Sequence, residues 1–179
     1  MSSIRPTPDR PTPDRPIPGL AARGAVEQFL LWSLRTWVRG FDDQPWKLAE
    51  MREGFAAINA GEAGDHLDQA MTLFAGGAEG RVDINCPRCP SVTADEHNLV
   101  LAIALIQRGW EASATRLLSD WLPPAALRLC QPHFVHVAFA LDDAGYRAPV
   151  RERAVRAPAR AAPDAARTGA EGPSRARLH

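Results

Sequence analysis

Lysine is almost missing from this sequence: Lys47 stands alone against twenty arginines. Tyrosine occurs once and cysteine three times in 179 residues. Arginine in place of lysine, together with abundant alanine, glycine and proline, is the usage of a GC-rich bacterial genome, so arginine content by itself says little about function. Long apolar runs are also missing. The longest, Leu99 to Ile106, is eight residues, against the ~20 a membrane-spanning helix needs. The first 24 residues are dominated by proline and arginine and carry no apolar signal-peptide core. These absences point to a cytoplasmic chain with no membrane partner. Enzyme motifs are scarce too: neither H-E-x-x-H nor the H-x-E and P-C-x-x-C pair of zinc deaminases occurs.

Formal charge is zero, with 21 basic and 21 acidic residues, so the total favours neither nucleic acid nor an acidic surface. Its distribution is uneven. From Arg147 to His179, eight arginines stand against Glu152, Asp164 and Glu171, while the centre of the chain is acidic. Residues 5–18 repeat R-P-T-P-D, with proline at every second or third place. Proline fixes φ and removes the amide donor, so that segment reads as an extended arm. Its Arg-x-x-Pro-x-x-Pro spacing suits proline-groove domains, but a low-complexity spacer explains it better. Beyond Arg147 large apolar residues run out, which predicts a second disordered arm. The domain expected between the arms covers residues 22–146, with tails over 1–21 and 147–179.

Inside that domain the apolar periodicity is helical throughout, and the fold class is all-α: a compact bundle of five or six short helices. Val26, Phe29, Leu30, Leu34, Trp37, Val38 and Phe41 mark a first helix from about residue 24 to Gly40. Trp46, Met51, Phe55 and Ile58 mark a second, opening near Pro45 with Asp43 or Gln44 as cap. Leu67, Met71 and Phe74 mark a third. Arg81 to Ile84 reads as an isolated extended piece. Thr93-Ala94-Asp95-Glu96 is a capping box, which opens an all-round apolar central helix at Thr93. A fifth helix covers roughly Glu111–Trp121, and a sixth runs from Pro124 to about Ala144, with a kink or restart expected at Pro132. Trp37, Trp46 and Trp121 fall on apolar stripes and are expected in the core.

The one chemically suggestive stretch is I-N-C-P-R-C-P, residues 84–90. Two residues between cysteines is the spacing by which one turn chelates a tetrahedral ion, and Cys130 and His133, three apart on a helix, can share a face. The expected site is therefore a structural zinc held by Cys86, Cys89, Cys130 and His133, with His97 and His136 as other candidates for the fourth position. Such a ligand set also accepts iron or an iron–sulfur cluster. C-P-R-C-P resembles the rubredoxin-type zinc knuckle, C-P-x-C-G, over five residues. That resemblance implies metal coordination by Cys86 and Cys89 and no activity. The chain departs from it at Pro90, which lacks the amide and the positive φ that glycine supplies there. As a whole the chain is loosely similar to uncharacterised short helical bacterial proteins.

Three other readings compete for the same residues. Cys86 and Cys89 have the Cys-x-x-Cys form of redox dithiols, although the βαβ scaffold of thioredoxin-like enzymes is not readable. A catalytic zinc would need Glu96 or Asp95 as base, and Glu96 already serves the capping box. Cys130 is in phase with Leu127, Phe134, Val137 and Leu141 and suits the core. The expectation is a metal-dependent binding or regulatory module for another protein, without chemistry of its own. A thiol redox sensor or oxidoreductase using Cys86 and Cys89 is the alternative. Nucleic acid held by the arginine-rich C-terminal tail is a third possibility, set against an acidic body and no aromatics among those arginines.

Overall fold

In a computed structural model, the structure describes residues 17, 19–42 and 44–154. The R-P-T-P-D repeat, Asp43 and the chain beyond Ala154 lie outside the described residues. Among those described, the fold is all-α, with six α-helices in chain order: α1 Ala25–Asp42, α2 Trp46–Ala57, α3 Gly61–Gly77, α4 Ala94–Ile106, α5 Glu111–Leu118 and α6 Pro124–Asp143. A 3-10 turn, Leu20–Ala22, leads into α1. Among the described residues, no helix is long and apolar enough to cross a membrane.

The start of α4 follows from local chemistry. Thr93 Oγ1 accepts from the Glu96 amide at 3.0 Å and Glu96 Oε2 accepts from the Thr93 amide at 3.0 Å, closing the box that the spacing predicts. Every residue from Asp95 to Ala104 is buried. That central helix is covered on all sides, so its lack of an amphipathic stripe is what its position requires. The broadest helix pair is α3 on α6, where Ala70, Cys130 and Phe134 are fully buried. Small residues set the spacing there: a Cβ at Gly77 would come within 2.6 Å of the Ala126 Cβ. Gly145, at φ 84°, takes the left-handed turn that stops the chain from continuing α6.

The sequence predicts a kink or restart at Pro132, and α6 runs through it as one helix. Pro132 is exposed, as is Arg128, whose carbonyl loses its helical partner. Water can take that carbonyl, so the missing bond costs less than it would on a buried face. Trp46, expected in the core, is 64 % exposed. At 100° per residue it stands 180° around α2 from Phe55, so it cannot share the face that Phe55 buries. Phe41, on the predicted stripe of α1, is also exposed and stacks on Trp37 at 4.7 Å.

Packing contacts extend beyond residues 22–146 at both ends. Ile17 and Leu20 pack against the core ahead of residue 22. At the other end, residues 147–154 form no helix but lie as a strap along α4. The Ala148 amide donates to Gln107 Oε1 and the Tyr146 carbonyl accepts from Gln107 Nε2. Asn98 exchanges two 2.9 Å hydrogen bonds with the backbone of Ala154, and Arg151 donates twice to the Glu27 carboxylate. A search for large apolar residues misses this segment because polar side chains hold it.

Candidate functional site: the cysteine turn

Cys86-Pro87-Arg88-Cys89 folds into a turn in which the Cys89 amide donates to the Cys86 carbonyl at 3.1 Å. Pro87 presets φ at the second turn position, and no residue here has positive φ, as in a type I turn. The turn brings the Cys86 and Cys89 sulfurs to 2.6 Å. Cys86 is exposed, Cys89 is half-buried, and both are free thiols.

Beneath the turn lies an ion pair. Arg35 of α1 and Glu96 of α4 have side chains 1 % and 0 % exposed. Arg35 donates from Nε and Nη2 to the two Glu96 oxygens at 2.6 and 2.9 Å. Its remaining donors reach the Cys89 and Ser91 carbonyls, each at 2.8 Å. Glu96 takes the Asn85 amide at 2.9 Å besides the Thr93 amide. The pair thus ties the backbone on both sides of the cysteines to the start of α4. Asp95 accepts the Asp83 amide, and the Pro90 carbonyl accepts the Leu20 amide at 2.8 Å. The 81–84 piece forms no strand; the Asp83 amide serves the Asp95 carboxylate, and the Asn85 amide just after the piece serves Glu96.

Electrostatics divides the two thiols. A hydrogen bond from Cys89 lowers the Cys86 thiol below its ordinary value, helped by the Arg88 and Cys89 amides and the Arg35 charge. The same contact with Cys86 raises Cys89. Cys86 is the better thiolate and also the more exposed sulfur.

The four residues expected around one zinc ion are not gathered at one point. Cys130 is fully buried in α6 and donates to the Ala70 carbonyl of α3 at 3.2 Å. Burial pushes its thiol up to about 12. His133 faces His66 of α3, with their Nδ1 atoms 3.1 Å apart. Helix α6 turns this side onto α3, which keeps Cys130 and His133 out of the turn's surroundings. His97 is buried too. Its Nδ1 takes Arg23 Nη2 at 2.8 Å and its Nε2 gives to the Glu152 carbonyl at 2.7 Å, so both nitrogens are used. His136 is exposed and stacks on His66 with centroids 4.3 Å apart. Among the described residues, no three His, Cys, Asp or Glu side chains are grouped as a metal would need.

Sequence reasoning missed Arg35 and His66. Arg35 had a legible signal: a charge beside Leu34 on a helix apolar on more than one face must find a buried partner. His66 had none, since only the packing of α3 on α6 gives it neighbours. No family model, curated protein or solved structure matches the chain.

Proposed function

We propose that the protein works as a thiol redox module, with Cys86 as the attacking thiolate and Cys89 as the resolving thiol. One observation carries this reading: two sulfurs 2.6 Å apart in a solvent-open turn, close to the ~2.05 Å of a bond between them. The buried Arg35–Glu96 pair supports it by holding the backbone of that turn. The co-reactant is a disulfide on a partner protein or a small molecule. Cys86 thiolate attacks one of its sulfurs and releases the other as a thiol, leaving a mixed disulfide. Cys89 then loses its proton and attacks the Cys86 sulfur, which closes the Cys86–Cys89 bond and releases the second thiol. The chain's dithiol gives up two electrons and two protons, and the partner disulfide takes both.

Glutathione disulfide is the probe. Wild-type protein loses two hydrogens by intact mass, Cys89→Ser accumulates the glutathione adduct at Cys86, and Cys86→Ser does not. A pair inert to the probe overturns the reading. So does one zinc per chain with both thiols blocked until chelator is added. That last outcome would restore the structural-zinc module expected from the Cys-x-x-Cys spacing, its remaining ligands supplied by a second chain.

A further inference from the structure

The cysteine turn carries a charge of its own. Between Asp83 and Asp95 the only charged residue is Arg88, and it stands between the two thiols in the chain. Its backbone amide donates to the Cys86 sulfur, which fixes the root of the side chain beside the thiol that attacks. The side chain is exposed, and among the described residues nothing binds its guanidinium. Arg35, the other cation at the turn, is committed. Its nitrogens are bound to Glu96 and to the Cys89 and Ser91 carbonyls, and Glu96 balances its charge below the surface. The neighbouring acids are engaged as well: Asp83 pairs with Arg81 at 2.6 Å, and Asp95 is buried against the Asp83 amide. Among the described residues, the cation that the turn offers to an incoming molecule is Arg88.

We propose that Arg88 selects the co-reactant of the turn, a small disulfide with carboxylates close to its sulfurs. The inference rests on the redox reading of Cys86 and Cys89 given above and names the substrate class for that site. Attack by the Cys86 thiolate brings the target sulfur onto the turn, so a carboxylate a few bonds away from that sulfur comes within reach of the guanidinium. Arginine suits the task because its planar fork takes both carboxylate oxygens. It also offsets the repulsion between an anionic disulfide and the thiolate that must approach it. The size of the co-reactant follows from the rest of the chain. The centre of the sequence is acidic, so a large acidic surface would meet many like charges. A small disulfide is screened from charges beyond ~8 Å at physiological salt, and the exposed turn presents Arg88 inside that range. The balance of the step is unchanged: the small disulfide takes the two electrons and two protons of the dithiol and leaves as two thiols.

The experiment measures the rate at which the dithiol of the full chain is oxidised by glutathione disulfide, which is anionic, by cystamine, which is cationic, and by hydroxyethyl disulfide, which is neutral. Each rate is divided by that of the neutral disulfide with the same variant, so that a change in the thiols themselves cancels. Unit charges ~6 Å apart in water interact strongly enough to change a rate about threefold. The normalised rate with glutathione disulfide should therefore fall about threefold in Arg88→Ala and about tenfold in Arg88→Glu, while that with cystamine rises by similar factors. Arg88→Lys should keep most of the wild-type preference, and added salt should compress every difference. Equal normalised rates in wild type, Arg88→Ala and Arg88→Glu overturn the proposal and leave the redox reading standing. A dithiol that none of these disulfides oxidises overturns the redox reading, and this inference falls with it.

Discussion

The turn at Cys86–Cys89 and the α3–α6 interface at Cys130 give the same side chain opposite surroundings. One is open to water beside a guanidinium; the other is sealed between helices with a backbone carbonyl as its acceptor. Water and nearby donors stabilise a thiolate at the first, and burial forbids one at the second. Reactivity is therefore a property of place, and three cysteines in one chain need not belong to one site. The contrast extends to what lies underneath. The exposed turn rests on a buried ion pair, and the buried cysteine rests on apolar packing.

The largest effect should come from breaking that ion pair. Arg35→Met leaves Glu96 buried without its partner, and Glu96→Gln does the reverse to Arg35. Either should cost ~3–5 kcal/mol in urea unfolding and should erase the preference of alkylating reagents for Cys86. Full wild-type stability in both would mean the turn holds its shape unaided. The next effect sharpens the thiol comparison. The Cys130 thiol ionises at about 12 in the fold and near 8.5 once unfolded. The unfolded chain therefore loses this proton first as pH rises, so stability falls above pH ~8.5, by up to ~1.4 kcal/mol per pH unit. Cys130→Ala should remove that slope while lowering the starting stability; Cys86→Ser should leave the slope in place.

A smaller effect belongs to the acid side. Burial, then the Arg23 and Arg151 charges, hold His97 below its ordinary value against the pull of the Glu152 carbonyl and Glu27. The unfolded chain takes up this proton first as pH falls through ~6.5, so stability declines below that pH and is unaffected above it. Hydrogen exchange at Ala154, the far end of the strap His97 helps to hold, should accelerate over the same range; an unchanged rate would separate His97 from the strap. The smallest effect is Cys86→Ser itself. With the sulfur in solvent and the turn held by backbone bonds, stability should stay within ~0.5 kcal/mol of wild type, whereas Cys130→Ala should exceed that through the cavity it leaves.

Most of the helix pattern was legible because its causes are local. The Thr93–Glu96 box closes within four residues, and the apolar run of α4 needs no partner to announce burial. Phase also placed Cys130 with Leu127, Phe134 and Val137, although the zinc expectation set that reading second. Trp46 was misplaced by treating every large apolar residue near α2 as part of one stripe, when its angular position opposes Phe55. The strap from Arg147 to Ala154 was invisible to an apolar criterion, since Gln107, Asn98 and Glu27 hold it through polar atoms.

What the chain determined by itself was the helical alternation, the Pro87 turn that brings two thiols together, and the cap that starts the central helix. Each follows from residues within a few positions of one another, where bonded geometry limits the outcomes. Tertiary structure decided that Cys130 and His133 face α3, that Arg35 reaches Glu96 and the turn carbonyls, and that His66 meets two histidines of α6. Those pairings span 54 or more positions. They depend on which helix faces cover the most apolar surface together, a choice made by the whole bundle.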